Sequence, residues 1–408
     1  MALTSVLTVG FVALSSYLLL CRGLRYLRRD GKHAQYPYKS REDFSKMTAQ
    51  HAFEITKYTI SLEFPFTIEK ALQFALFRTY GIPTISKLLC DTRQLSEARN
   101  APKRYADTAI LITEFLTHEP TSDRACSAIA RMNYLHGMWQ KRGRISNDDM
   151  LYTLSLFVLE VDRWVRTYEW RALTPMELCA FGTQWKSIGD VMGISFAGLK
   201  HGPSDFVDGL QFVEDLRHWA EDYEKRTMVP NGWNHKLAEE TIAILLCNAP
   251  HFLKPYGKQA VITLMDGRLR RAMMYPDPPS QYLPLVSFAL HARKLFIRHL
   301  LPPRPYFMRF RTVSDGPDPK TGRYHQTIYE AEPWYVKPTL YNRYNLAAWF
   351  RWLLGKPYPG PKKFKPEGYD ILELGPLNLE NSGQDECKET RERLMGAGRG
   401  ACPFAFKG

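Results

Sequence analysis

Residues Leu3 to Cys21 carry no charged side chain, and no lysine or arginine precedes them. As a helix, nineteen residues rise roughly 28 Å, about the thickness of a bilayer core. Arg22, Arg25, Arg28, Arg29 and Lys32 follow at once. That asymmetry predicts a single membrane span with the rest of the chain in the cytosol. A cleaved signal peptide needs a basic start and a small-residue cleavage site, and Tyr17-Leu18-Leu19-Leu20-Cys21-Arg22 has neither. The endoplasmic reticulum is the expected membrane, although the sequence has no retention signal.

The remaining chain has globular composition, with 45% hydrophobic and 24% charged residues overall. A net charge of +13 fits an anionic membrane surface or nucleic acid. No zinc-finger spacing, RNA-recognition aromatic motif or basic-zipper pattern accompanies it, so nucleic acid is not expected as a partner. The 7 cysteines are widely spaced, odd in number and without a CxxC, which points to a reducing compartment. The absence of an Asn-x-Ser/Thr sequon agrees.

Helical periodicity dominates from about residue 40 to 301, with no hairpin dipeptides and no βαβ rhythm, so the expected class is all-α. Pro120-Thr121-Ser122-Asp123 opens a helix to Gly143 whose stripe is Ala125, Ile129, Met132, His136 and Trp139. Asn147 or Asp148 is expected to cap the next, with Leu151, Leu154, Val158, Val161 and Val165 inward. Thr174-Pro175-Met176-Glu177 combines a capping box with proline at the first helical position. Further helices are expected over 205–226, 235–247, 258–275 and 281–301.

The stretch from Tyr282 to Arg311 interleaves apolar residues with Arg293, Lys294, Arg298, Arg304, Arg309 and Arg311. It reads either as a basic amphipathic helix lying in the headgroup layer or as a core helix with one solvated face. The expected organisation is an anchor with its basic flank at 1–32, a helical catalytic domain at 33–301, an irregular Pro/aromatic-rich wrapping segment at 302–379 and a flexible tail at 380–408.

Most catalytic signatures are missing: no Rossmann glycine fingerprint, phosphate loop, HExxH or GxSxG occurs. The glycines around Arg399 lie in the expected tail rather than between a strand and a helix. None of the 11 histidines forms a His-x-His or His-x-x-x-His pair, which argues against a compact multi-histidine metal site. His136 stands out on the apolar stripe beside Met132 and Trp139. Its bland explanation is a core histidine bonded to a carbonyl or to Asn133. Arg131 flanks the same stripe and needs an anionic partner, either Asp162 or a bound anionic cofactor.

The run Arg131-Met132-Asn133-Tyr134-Leu135-His136-Gly137-Met138-Trp139 resembles the core motif of the fungal ER-bound oxygenases of the MpaB type, named for mycophenolic acid biosynthesis. So do Asp148-Asp149-Met150-Leu151-Tyr152-Thr153-Leu154, Tyr168-Glu169-Trp170-Arg171, Trp185-Lys186 with Ile188-Gly189-Asp190, and the run from Phe74 to Pro83. These motifs occur in order at plausible spacing, and the resemblance runs from the anchor to about residue 300, with looser similarity beyond. The same superfamily holds the bacterial latex-clearing rubber oxygenases. The resemblance implies a globin-like helical core, haem b as cofactor, dioxygen as co-substrate, and oxidative cleavage of a carbon–carbon double bond. The implied substrate is a prenylated, farnesyl-like or other apolar small molecule of secondary metabolism, reached from the lipid bilayer.

The rubber oxygenases carry Arg-x-x-x-Thr in the haem pocket and an axial histidine on the next helix. Here Arg131 matches the arginine, Leu135 replaces the threonine, and the run from Leu151 to Val158 has no histidine. The resemblance therefore leaves His136 as the expected iron ligand, with Arg131 as its catalytic and cofactor-binding companion, and His201, His218 or His251 as substitutes. Five residues apart, positions 131 and 136 point about 140° away from each other on a regular helix. The rival expectation is a non-catalytic, membrane-tethered helical protein that binds or carries lipids.

Overall fold

A computed structural model describes residues 2–202 and 206–404. Among the described residues it holds sixteen α-helices and only isolated β-bridges, so the all-α expectation holds. In chain order they are α1 (Ala2–His33), α2 (Ala49–Tyr58), α3 (Pro65–Thr79), α4 (Pro83–Asp91), α5 (Ala101–Thr117), α6 (Asp123–Gln140), α7 (Asn147–Tyr168) and α8 (Pro175–Val191). There follow α9 (Gly209–Thr227), α10 (Gly232–Leu245), α11 (Lys254–Leu264), α12 (Gly267–Ala272), α13 (Tyr282–Leu300), α14 (Leu340–Tyr344), α15 (Leu346–Leu353) and α16 (Gln384–Gly396).

Local chemistry sets most helix ends. Ser122 caps α6 by accepting from the Ala125 amide, and both halves of the Thr174/Glu177 capping box form at α8. Ser146, one residue before the expected cap, accepts from Asp149 to start α7. Asp208 caps α9; the expected start of that helix at 205 lies outside the described residues. The helix expected over 258–275 is two, because Asp266 caps a new helix after Leu264.

The core packs α3 on α7, α2 on α8, α8 on α9, and α5 and α16 on α6. The expected inward stripe of α7, from Leu151 to Val165, is buried throughout. Helices α8 and α9 meet backbone to backbone at two glycines. A Cβ at Gly182 would lie 2.2 Å from the Gly209 carbonyl, and one at Gly209 would lie 2.3 Å from the Cys179 carbonyl.

Helix α1 is one uninterrupted rod of roughly 48 Å, longer than a bilayer core. Its apolar stretch is almost wholly exposed, and it is the one described helix long and apolar enough to cross a membrane. Its basic end docks on the body: Arg25 donates to the Leu301 carbonyl at 2.8 Å, and Arg28 grips Glu63 at 2.6 Å. Helix α13 packs beside α1, with the Tyr17 hydroxyl on the Leu300 carbonyl. No residue of α13 is buried, so it is not a core helix. The face expected to carry its basic residues to lipid is partly turned inward. Arg293 pairs with the buried Glu169 at 2.9 Å and Lys294 reaches the Thr167 carbonyl, which leaves Leu283, Leu285, Phe288, Leu295 and Phe296 exposed.

The irregular 302–379 stretch is stitched to α5 and α6 by ion and hydrogen-bond pairs rather than by secondary structure. Arg124, buried against Glu114, donates to the Ser314 and Asp315 carbonyls, while Tyr369 donates to Glu114 and Tyr335 to Asp107. The expectation of a flexible 380–408 tail fails over its described part. Residues 384–396 form α16, which packs on α6 and buries Cys387 and Leu394. Arg399, in the glycine-rich run, is buried and donates to the Pro120 carbonyl at 2.8 Å. The order comes from long-range contacts that composition does not display.

Candidate functional site

Helix α6 carries both expected site residues, and the structure does not bring them together. Arg131 is fully buried and spends its guanidinium on one strand of chain. Nε donates to the Leu374 carbonyl at 2.7 Å, one Nη to Ser382 at 2.8 Å and the other to Leu379 at 2.7 Å. The Tyr134 ring lies beneath it, and Leu135 faces Gly375 on the same side. Asp162 is not its partner: that carboxylate bonds Arg166 and Arg217, and Arg131 bonds three carbonyls. Arg131 is a pin for the C-terminal segment.

His136 points the other way. Its Nδ1 is buried and has no hydrogen-bond partner. Asn133 does not satisfy it, because the Asn133 amide donates to the Val191 carbonyl at 2.8 Å. Burial, with the Arg104 charge adding to it, brings the His136 imidazole down to about 4, so the ring is neutral at physiological pH. A neutral imidazole with an unused nitrogen is the ligating form. Some of its surface stays open, as does that of Met132, Asn133 and Trp139 along the same helix.

Arg104 on α5 completes this side. Its guanidinium donates to the Thr108 hydroxyl and has no carboxylate partner among the described residues. Its neighbour Lys103 takes Asp107 at 2.8 Å instead. Tyr80, at the end of α3, is buried and feels the same guanidinium; burial pushes its phenol up to about 12. Sequence reasoning missed Arg104 and Tyr80. A signal for Arg104 existed, in two adjacent cations competing for the single acid at 107.

No group of three or more His, Cys, Asp or Glu side chains that could hold a bare metal ion occurs among the described residues. A macrocycle that brings four nitrogens of its own needs only one protein ligand, which His136 can supply. The unpartnered imidazole and the unpaired guanidinium fit such an anionic group. The alternative histidines are less suited: His201 is paired with Asp215 at 3.0 Å, and His218 and His251 are exposed.

The opposite side of α5 faces a second space. A cavity of about 110 Å³ lies between α3, α5 and the strap 312–332, walled by Leu72, Leu76, Tyr105, Ala109, Ile328 and Ala331 with Glu69 and Glu330. Burial pushes Glu69 up to about 7, against the pull of Lys70 and with help from Glu330. A larger cleft of about 790 Å³, between α3, α7, α9 and α12, is lined by charges that satisfy one another: Arg78 grips Glu224, and Asp162 takes its two arginines.

No family model matches the chain. Three fungal proteins are similar to it. One named "ER-bound oxygenase mpaB'" from Penicillium brevicompactum is 43% identical over 398 residues, covering 97% of this chain and 93% of that protein. An "ER-bound oxygenase mpaB" of the same species is 40% identical, covering 88% and 85%. The protein of that name from Penicillium roqueforti is 45% identical, covering 65% and 89%.

Proposed function

The chain belongs to the ER-bound oxygenases of the MpaB type, and from that premise we propose that it is a haem-dependent enzyme cleaving a carbon–carbon double bond in a prenyl or other apolar chain. The observation that carries the haem assignment is the neutral, buried His136 with its unpartnered Nδ1, in the field of an Arg104 that has no carboxylate partner among the described residues. His136 would hold the iron and Arg104 an acidic side chain of the macrocycle. When bound, haem supplies the metal that activates dioxygen, whose ground state reacts poorly with an alkene.

The protein's own groups do the rest. Burial keeps the His136 ring deprotonated, Tyr80 remains a protonated hydroxyl, and the apolar walls of the cavity between α3, α5 and the strap exclude water from an apolar chain. Arg131 acts at a distance, by fixing the segment that closes over α6. Helix α1 spans the endoplasmic reticulum membrane once, with the body on the cytosolic side, and α13 lies in the lipid surface beside it. A long isoprenoid partitions into that lipid, so the anchor holds the enzyme at its substrate. A glycosylation acceptor added after residue 400 should stay unmodified, and its modification would reverse the topology.

The test is an absorption spectrum of the purified full-length chain. A Soret band with one iron per chain is expected. His136→Ala should lose it while far-ultraviolet dichroism is kept, and added imidazole should restore part of it. Full haem loading in His136→Ala would remove His136 from the site. A chain with no Soret band, no iron and co-purifying lipid would replace this reading with a lipid carrier.

A further inference from the structure

The annex holds an element whose apolar stripe points the wrong way for a soluble protein. In α15 the residues at i, i+3, i+4 and i+7 are Leu346, Trp349, Phe350 and Leu353, the spacing that normally faces a core. Here they face outward, with Leu346 90% and Leu353 73% exposed. The inward face carries Ala348, which is buried, and Arg351, whose guanidinium donates to the Tyr329 carbonyl at 2.8 Å and covers the Tyr329 ring at 4.1 Å. Leu340, Tyr341 and Tyr344 on α14 and Trp352 extend the exposed apolar surface. A patch of this size needs an occupant.

Three observations name lipid. The first is continuity with α13 and α1. Arg351 holds the strap at the Tyr329 carbonyl, the Asn248 amide donates to the next carbonyl, that of Glu330, at 3.1 Å, and the chain beyond exposes Phe252 and Leu253 before α11, which exposes Tyr256 and packs on α13. The second is composition: tryptophan and tyrosine mixed with leucine are the residues of a membrane interface. The third is charge, since Lys356, Lys362 and Lys363 follow the patch and suit anionic headgroups.

We propose that residues 340–353 are a second membrane-inserting element, seated among the acyl chains beside α13, and that its Arg351 clasp holds the strap 328–331 at the lipid surface. That strap supplies Ile328, Glu330 and Ala331 to the wall of the apolar cavity. The cavity's outer wall is thereby set against the bilayer, on the side from which an apolar chain arrives.

The test uses the full-length chain in liposomes of phosphatidylcholine and phosphatidylserine, with and without bromine on the acyl chains. Trp349→Phe/Trp352→Phe keeps the patch apolar, and the chain retains 7 of its 9 tryptophans. At least half of the bromine-dependent quenching should disappear in this variant. Quenching equal to that of the parent chain would overturn the insertion and leave a protein partner as the occupant. Adding Ile328→Trp to the double variant should restore quenching by bromines near the headgroups. No restored quenching would overturn the placement of the strap. Haem content need not enter either measurement, so this proposal and the oxygenase mechanism can fail separately.

Discussion

From Arg124 to Arg131 every residue of α6 is buried, whereas from Met132 to Trp139 every residue keeps some open surface, even though His136 in that second stretch is strongly desolvated. The first half is packed with Ala125, Cys126, Ala128, Ile129 and Ala130, and ends in an arginine whose hydrogen bonds are all made within the protein. The second half offers a ring nitrogen with none. Close packing and unused hydrogen-bonding capacity are thus divided along one helix, and the division falls between residues 131 and 132. A buried polar group left unsatisfied is the observation on which the proposed site rests.

The widest test of that division is Arg131→Leu. It orphans three carbonyls that now accept from one cation, each worth roughly 1 to 3 kcal/mol when lost. Allowing for partial relaxation, the expected loss is about 4 kcal/mol in urea unfolding. Protease cleavage should appear first between residues 374 and 400. Unchanged stability with an uncut C-terminal segment would break the comparison.

The second test uses pH on the other half. The His136 pKa falls from an ordinary 6.5 to about 4 in the folded chain. Between those values the unfolded chain takes up a proton that the folded chain refuses. The folded state is therefore at full strength above pH 6.5 and loses stability as pH falls toward 4, by up to about 3 kcal/mol for that span. His136→Gln cannot titrate, so its stability should fall less steeply across the same window. Parallel pH profiles for the two proteins would mean that the ring is not buried as a neutral base.

The third test probes the boundary itself, at Tyr134, which lies just inside the open half yet packs on the C-terminal segment. Gly383 has φ of +69°, and a Cβ there would sit 2.1 Å from the Tyr134 ring. Gly383→Ala should cost about 2 kcal/mol, part left-handed backbone strain and part displacement of the ring. Adding Tyr134→Ala should recover the second part only. A double-mutant cycle with no coupling would mean that the ring does not pack on this turn.

The sequence made α6 legible as a helix, with its Ser122 start and with His136 on its stripe, because caps and 3.6-residue periodicity are local properties. The family resemblance also rested on that run. The role of Arg131 was not legible. Its partners are backbone carbonyls some 243 to 251 residues away, and a carbonyl has no sequence signature. For the same reason the C-terminal segment reads as a polar tail although it is held at Leu374, Leu379, Ser382 and Arg399. Helix α13 misled in another way. Its basic residues suggested a lipid-facing charge stripe, but the buried Glu169 needed a counter-ion and took Arg293.

The smallest effect on stability is expected at Arg104, and it separates the halves most finely. Arg104→Met removes a cation that, among the described residues, has no carboxylate partner and donates to the Thr108 hydroxyl, so no buried charge is abandoned. The loss should stay under about 1 kcal/mol, in contrast to a broken buried pair at roughly 3 to 5 kcal/mol. His136 should titrate at a higher pH, because a repelling charge has gone. The rise should be small, since burial is the larger cause and remains. A histidine Cε1 proton titration of the haem-free chain reads that shift directly. On the proposed haem assignment the same substitution should weaken cofactor retention, measured as faster transfer to apomyoglobin, because an acidic side chain of the macrocycle would lose its counter-ion. A variant that loses several kcal/mol yet releases haem at the parent rate would make Arg104 a structural residue like Arg131. The cofactor proposal would then rest on His136 alone.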